Sequence, residues 1–203
     1  PWSNCFYNLY MSKLYKTSSA ERFQLIARMD EKVFHIDDLA RLWKIRDANT
    51  LRITLHRYVA KGLLHRIYRG FYAILPPEKL DPAFLGIKAM HRYSYISTES
   101  VLVECGILQQ VIAKITLVSS QSKKFNIGPF EYQCRKLQDV HLYNPLGIQD
   151  APPCRKAGLE RSVCDLLYFN PGAHFDRPEG IDWKRIRDMQ NAIGYPATPR
   201  PGS

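Results

Sequence analysis

Ala48-Asn-Thr-Leu-Arg-Ile-Thr-Leu-His-Arg-Tyr-Val-Ala-Lys-Gly62, followed at once by Leu63-Leu-His-Arg-Ile-Tyr-Arg-Gly-Phe-Tyr-Ala-Ile-Leu75, is the stretch that decides how this chain reads. Its first half has helical periodicity. Leu51, Leu55, Tyr58 and Val59 fall on one side, with Ala48 beside them, and that side is core. Asn49, Thr50, Ile53, His56, Arg57 and Ala60 fall on the other. A merely solvated face is rich in Glu and Lys; this one carries an amide, a hydroxyl, a guanidinium and an isolated aliphatic. Such a face suits a DNA major groove. Asn pairs bidentate with adenine, Arg with guanine, and an aliphatic meets a thymine methyl. Arg46, Arg52 and Lys61 lie at the flanks, where phosphates run. The spacing predicts a helix from Ala48 to Lys61, with Asp47 as its cap and Gly62 as its stop. In the second half two β-rich runs meet at Arg69-Gly70, a tight hairpin with Arg66 and Arg69 on or near its tip.

The preceding residues supply two more helices. Ser19 caps a run to Met29 in which Phe23, Ile26 and Ala27 have helical spacing. Val33-Phe-His-Ile36 is a short apolar lead-in, and Asp37-Asp38 cap and charge a helix from Leu39 to Trp43. Three helices and then a basic hairpin is the order of a winged helix-turn-helix. Its third helix reads the major groove and its wing touches backbone or minor groove. A protein-binding winged helix is the competing reading of the same order.

Charge supports the first reading. The 203 residues hold 29 Lys/Arg against 19 Asp/Glu, a net +10. The surplus is uneven: residues 1–77 hold 13 against 6. A basic module points to polyanions. Pro76-Pro77 closes it, since consecutive prolines end an element and stiffen a connection. The length buries a real core, and no apolar run approaches the ~20 residues of a membrane span. Five cysteines with no C-x-x-C pair read as free thiols in a reducing cytosol. The expected organisation is a leader or added segment (1–18), a winged helix-turn-helix (19–77), an α+β domain (78–195) and a tail (196–203). Pro1 is not a start residue whereas Met11-Ser-Lys is a native-looking one, so 1–10 reads as upstream or added sequence, or else as an aromatic segment packing on the body. Tyr195-Pro-Ala-Thr-Pro-Arg-Pro-Gly-Ser203 reads as tail throughout.

In the second domain Ser97 caps a short helix from Thr98 to Cys105, stopped by Gly106. Lys114–Ser119 and Phe130–Leu137 read as strands, with Val140–Tyr143 as a third. Leu159–Phe169 is a helix with a core stripe of Leu159, Val163 and Leu166, and Asp182–Met189 is a last, more basic one. The fold class is therefore α+β: an N-terminal winged helix-turn-helix and a small mixed α/β domain. Lys123-Lys124 with Phe125, and Arg155-Lys156, read as solvated loops, the alternative being an extended nucleic-acid footprint.

No G-x-S-x-G, H-E-x-x-H, P-loop or G-x-G-x-x-G occurs, and no two of the six histidines sit four apart on one plausible helix. Glu160 and Asp165 are five apart and do not share a helix face; Glu160 serves the helix dipole, and Arg161 partners some other group. No catalytic residue, metal or cofactor is expected.

The chain also resembles a known family, the AbiEi-type antitoxins of bacterial type IV toxin–antitoxin (abortive infection) systems. The resemblance is carried by Asp38-Leu-Ala40, Leu51-Arg-Ile-Thr-Leu-His-Arg57, Val59-Ala-Lys-Gly-Leu-Leu64 and Arg69-Gly-Phe-Tyr-Ala73. It continues through Tyr95-Ile-Ser-Thr-Glu-Ser100, Gly106-Ile107 and Leu159-Glu-Arg-Ser-Val-Cys-Asp-Leu-Leu167. It implies a winged helix that represses its own operon. It also implies a C-terminal domain that neutralises a nucleotidyltransferase-like toxin without needing a stable complex. This chain is shorter than many such relatives at its C-terminal end. The expected protein is thus a cytoplasmic, nucleoid-associated autorepressor that binds its own operator as duplex DNA, with two copies pairing on DNA. The rival readings are a regulator whose second domain binds a ligand or protein, and a nuclease or transferase steered by a winged helix.

Overall fold

The computed structural model describes residues 18–109, 114–151 and 154–198. The chain is α+β and divides into two compact units between Pro76 and Pro77.

The first unit runs α1 (Ser19–Ala27), β1 (Val33–His35), α2 (Ile36–Leu42), α3 (Ala48–Ala60), β2 (His65–Tyr68) and β3 (Phe71–Ala73). The cap of α1 is Ser18 and not Ser19. The Ser18 hydroxyl accepts from Glu21 N at 3.2 Å, and the Glu21 carboxylate accepts from Ser18 N at 2.7 Å. Ser18 therefore belongs to the helix rather than to a leader, and residues 1–17 lie outside the described residues. Helix α2 starts three residues earlier than its apolar spacing suggests, because His35 is its cap. His35 Nδ1 accepts from Asp37 N at 3.4 Å and the Asp38 carboxylate accepts from His35 N at 3.3 Å. Asp37 and Asp38 sit in its first turn. Val33–His35 is a strand, paired antiparallel with β3 through Phe34 and Tyr72. The sheet order is β1-β3-β2. Ile26, Phe34, Leu39, Trp43, Leu51, Leu55, Tyr58 and Leu64 form the core, each full burial contributing about 1.5–3 kcal/mol. Phe23 and Val59 are half-buried against it, and Ala48, at the first position of α3, is exposed.

The second unit runs α4 (Pro82–Met90), β4 (Ser94–Ile96), α5 (Glu99–Glu104), β5 (Lys114–Ser119), β6 (Lys123–Ile127), β7 (Phe130–Lys136), α6 (Asp139–Leu142), β8 (Ile148–Ala151), β9 (Cys154–Ala157), α7 (Leu159–Phe169) and α8 (Trp183–Ile193). Its six-stranded mixed sheet has the order β6-β7-β5-β4-β9-β8. Helix α4 lies on the face of Leu117 and Tyr132, where a Cβ at Gly86 would come within 2.6 Å of Tyr132 and 3.4 Å of Leu117. Helices α7 and α8 pack with Tyr95 and Val118, which pair side by side across β4 and β5. Several expectations are corrected here. Val140–Tyr143 lies in and after the helix α6: neighbours His141 and Leu142 are both buried, whereas a strand sends neighbours to opposite faces. Lys123-Lys124 and Arg155-Lys156 lie on strands and not in loops. Leu159 is only half-buried, unlike Val163 and Leu166. Ser97 is no cap; α5 begins at Glu99, after Thr98 at φ 56° and ψ −133°.

The Ser97 hydroxyl is used elsewhere. It donates to Asp165 at 2.7 Å, inside a fully buried cluster. Arg161 Nε donates to Asp165 at 2.9 Å, one helical turn away on α7. The Tyr95 and Tyr195 hydroxyls donate to the same carboxylate at 3.0 and 2.5 Å. The rest of the guanidinium reaches the carbonyls of His141, Asn144 and Leu146 at 2.8–3.0 Å, and so closes the end of α6. Gly147 makes room for it. At φ +74° a Cβ there would lie 2.8 Å from Arg161 Cβ. Tyr195, expected as the first residue of a tail, is thus a core residue.

Burial, and then the charge of Asp165, raise Tyr95 and Tyr195 above the ordinary phenol range. Folded, both stay protonated where the unfolded chain ionises, from about pH 10 upward. The unfolded state then binds fewer protons, so stability falls as pH rises, by up to about 1.4 kcal/mol per pH unit for each tyrosine. Urea midpoints from pH 8 to 11 test this. The Tyr95→Phe/Tyr195→Phe variant is expected to show a shallower fall, and an unchanged slope counts against the account.

Candidate nucleic-acid interface

Helix α3 is positioned by three local devices. Asp47 caps it, accepting from Thr50 N at 2.7 Å. The α2–α3 turn passes through Lys44 at φ 54°. Leu51, Leu55 and Tyr58 anchor its inner side. The opposite side leaves Asn49, Arg52, Ile53, His56, Arg57 and Ala60 exposed, with the Ile53 side of the ridge 44 % accessible at that residue. Thr50 is exposed too, but its hydroxyl donates to Asp47 at 2.6 Å. That bond, followed by the Thr50 N–H, holds the Asp47 carboxyl below its usual range. Thr50 therefore serves the cap. Arg46 is exposed in the turn before α3, and Lys61 is exposed just after its last residue.

The hairpin lies along one side of α3. Gly70 turns it at φ +69°, a conformation glycine adopts without strain. Arg66 is not at the tip. It pairs with Tyr72 within the ladder, before a register shift towards Tyr68. Arg69 occupies the exposed turn. Arg52, Ile53, His56 and Arg57 of α3 face Arg66 and Tyr72 across a groove of about 720 Å³. The arrangement offers one apolar ridge and four cationic or ionisable groups to a single concave surface. Arg46, Asn49, Lys61 and Arg69 line no part of that groove.

Among the described residues no group of three His, Cys, Asp or Glu gathers to hold a metal ion. Cys105, Cys134, Cys154 and Cys164 are free thiols, and Cys5 lies outside the described residues. Burial pushes Cys134 and Cys164 up to about 12. No described helix is long and apolar enough to cross a membrane. Sequence reasoning missed Tyr72 as a groove wall. The residue looks like any strand aromatic until the hairpin packs beside α3.

No known protein family is matched by the chain, and no curated protein is. Among solved structures it is similar to that of the RV2827C protein from Mycobacterium tuberculosis, with a TM-score of 0.54 at 13 % identity, over 89 % of this chain and 73 % of that one. At this identity the likeness is one of fold alone.

Proposed function

We propose that the chain is a DNA-binding regulator whose first unit is a winged helix-turn-helix that lays α3 in the major groove. One observation carries the reading: Arg52, His56 and Arg57 of α3 and Arg66 of the hairpin converge on one groove beside the exposed Ile53. The net charge of residues 1–77 supports it. The resemblance described above extends it to an antitoxin that represses its own operon and counters a nucleotidyltransferase-like toxin, with the second unit as the neutralising part. The exposed Val140, Tyr143 and Leu146 of that unit favour a second reading, a regulator that takes a protein partner there.

Arg57→Ala and Asn49→Ala are expected to lose discrimination between specific and random duplexes, by about 1–3 kcal/mol each. Arg66→Ala and Arg69→Ala are expected to weaken both duplexes alike. Fluorescence anisotropy on the two duplexes measures all four. Identical behaviour of the two pairs of variants defeats the assignment of α3 as the reading helix. Growth rescue on co-expression with a nucleotidyltransferase-like toxin tests the antitoxin role.

A further inference from the structure

The other side of α3 carries a smaller basic recess, of about 150 Å³. Ser19 and Arg22 of α1 line it with Thr54, Arg57, Tyr58 and Lys61. Three cations meet there, and among the described residues no carboxylate forms an ion pair with any of them. Glu21, the adjacent acid, is turned back onto Ser18 N. Arg22 Nε is shielded from solvent and has no hydrogen-bond partner. Arg22 itself is half-buried and lines the recess, so its guanidinium is within the same small volume as Arg57 and Lys61. The walls are fixed. The Tyr58 hydroxyl donates to Ser19 O at 2.6 Å, and Trp43 Nε1 donates to Arg22 O at 3.1 Å, so α1 is pinned against the helices beside it.

We infer that this recess is a phosphate seat, filled by a backbone phosphate of bound duplex. The inference rests on the DNA-binding reading and deepens it. Helix α3 has basic groups along both sides: Arg52, His56 and Arg66 towards the hairpin, Arg22 and Lys61 towards α1, and Arg57 in both grooves. A helix in a major groove has one strand's backbone along each side. The hairpin side meets one strand and the recess meets the other. A free phosphate offers the same chemistry, so the test separates the two sources.

Duplex binding by the full chain is measured across a salt series for wild type, Arg22→Gln, Arg22→Lys and Lys61→Gln. Melting temperature is followed with and without inorganic phosphate at constant ionic strength. Arg22→Gln and Lys61→Gln are expected to weaken specific and random duplexes alike, about 5–10-fold, and to lower the salt slope by about 1. Arg22→Lys is expected to keep the slope. The exposed Lys61 keeps the test alive if Arg22→Gln fails to fold. Unchanged slopes in both variants overturn the seat. A phosphate-induced rise in melting temperature that Arg22→Gln abolishes, with DNA binding unaltered, overturns the backbone source in favour of a free anion. If the wild type binds no duplex, the DNA reading itself has failed; the phosphate arm then decides, and no response to phosphate overturns the seat as well.

Discussion

An Arg161→Ala variant is expected to lose about 3–5 kcal/mol of stability, the cost of leaving a buried charge without its partner. Arg161 and Asp165 are both wholly inaccessible, so the pair meets each other and its protein partners without bulk solvent. The variant strands the Asp165 carboxylate and frees the carbonyls of His141, Asn144 and Leu146 together. Those carbonyls hold the segment that leads into β8. The damage is expected in the second unit: amides of β5 and β7 lose hydrogen-exchange protection while those of α3 keep theirs. The Arg161→Met/Asp165→Leu pair is expected to recover only part of the loss, because Ser97, Tyr95 and Tyr195 still seek an acceptor. A loss below about 1 kcal/mol for Arg161→Ala contradicts this account of the cluster.

Duplex affinity of the full chain is expected to fall by about 10³ between ~50 and ~200 mM salt. The basis is the 13 Lys/Arg against 6 Asp/Glu of residues 1–77, many of the cations exposed on and around α3. About six phosphate contacts give a log–log slope near −5, at ~0.9 per phosphate. Titrating one duplex at several salt concentrations gives that slope. A binding constant that stays flat over this range removes the electrostatic basis of the DNA reading and leaves the protein-binding winged helix as the better account.

The sequence by itself determined what short-range periodicity and capping can express. The phase of α3 was legible because Leu51, Leu55 and Tyr58 recur at the helical period, and because Asp47 can reach Thr50 without help from the rest of the fold. Helix α7 was legible for the same reason, and Gly70 marked the hairpin. Tertiary structure decided the rest. Strands of three or four residues such as β1, β4 and β9 are too short to show a period of two, and their partners lie far along the chain, as Phe34 does from Tyr72. His35 as a cap was hidden because His is an uncommon residue there and Asp37-Asp38 offered a more ordinary choice. Arg161 and Asp165 stand one turn apart, a spacing that on an exposed helix is only a weak surface pair. Their burial comes from Tyr95, Ser97 and Tyr195, brought in from strand and chain end by the packing of the sheet against α7 and α8. The basic recess has the same origin: Arg22 meets Arg57 and Lys61 because α1 docks on α3, and no local rule of spacing links residues so distant in the chain.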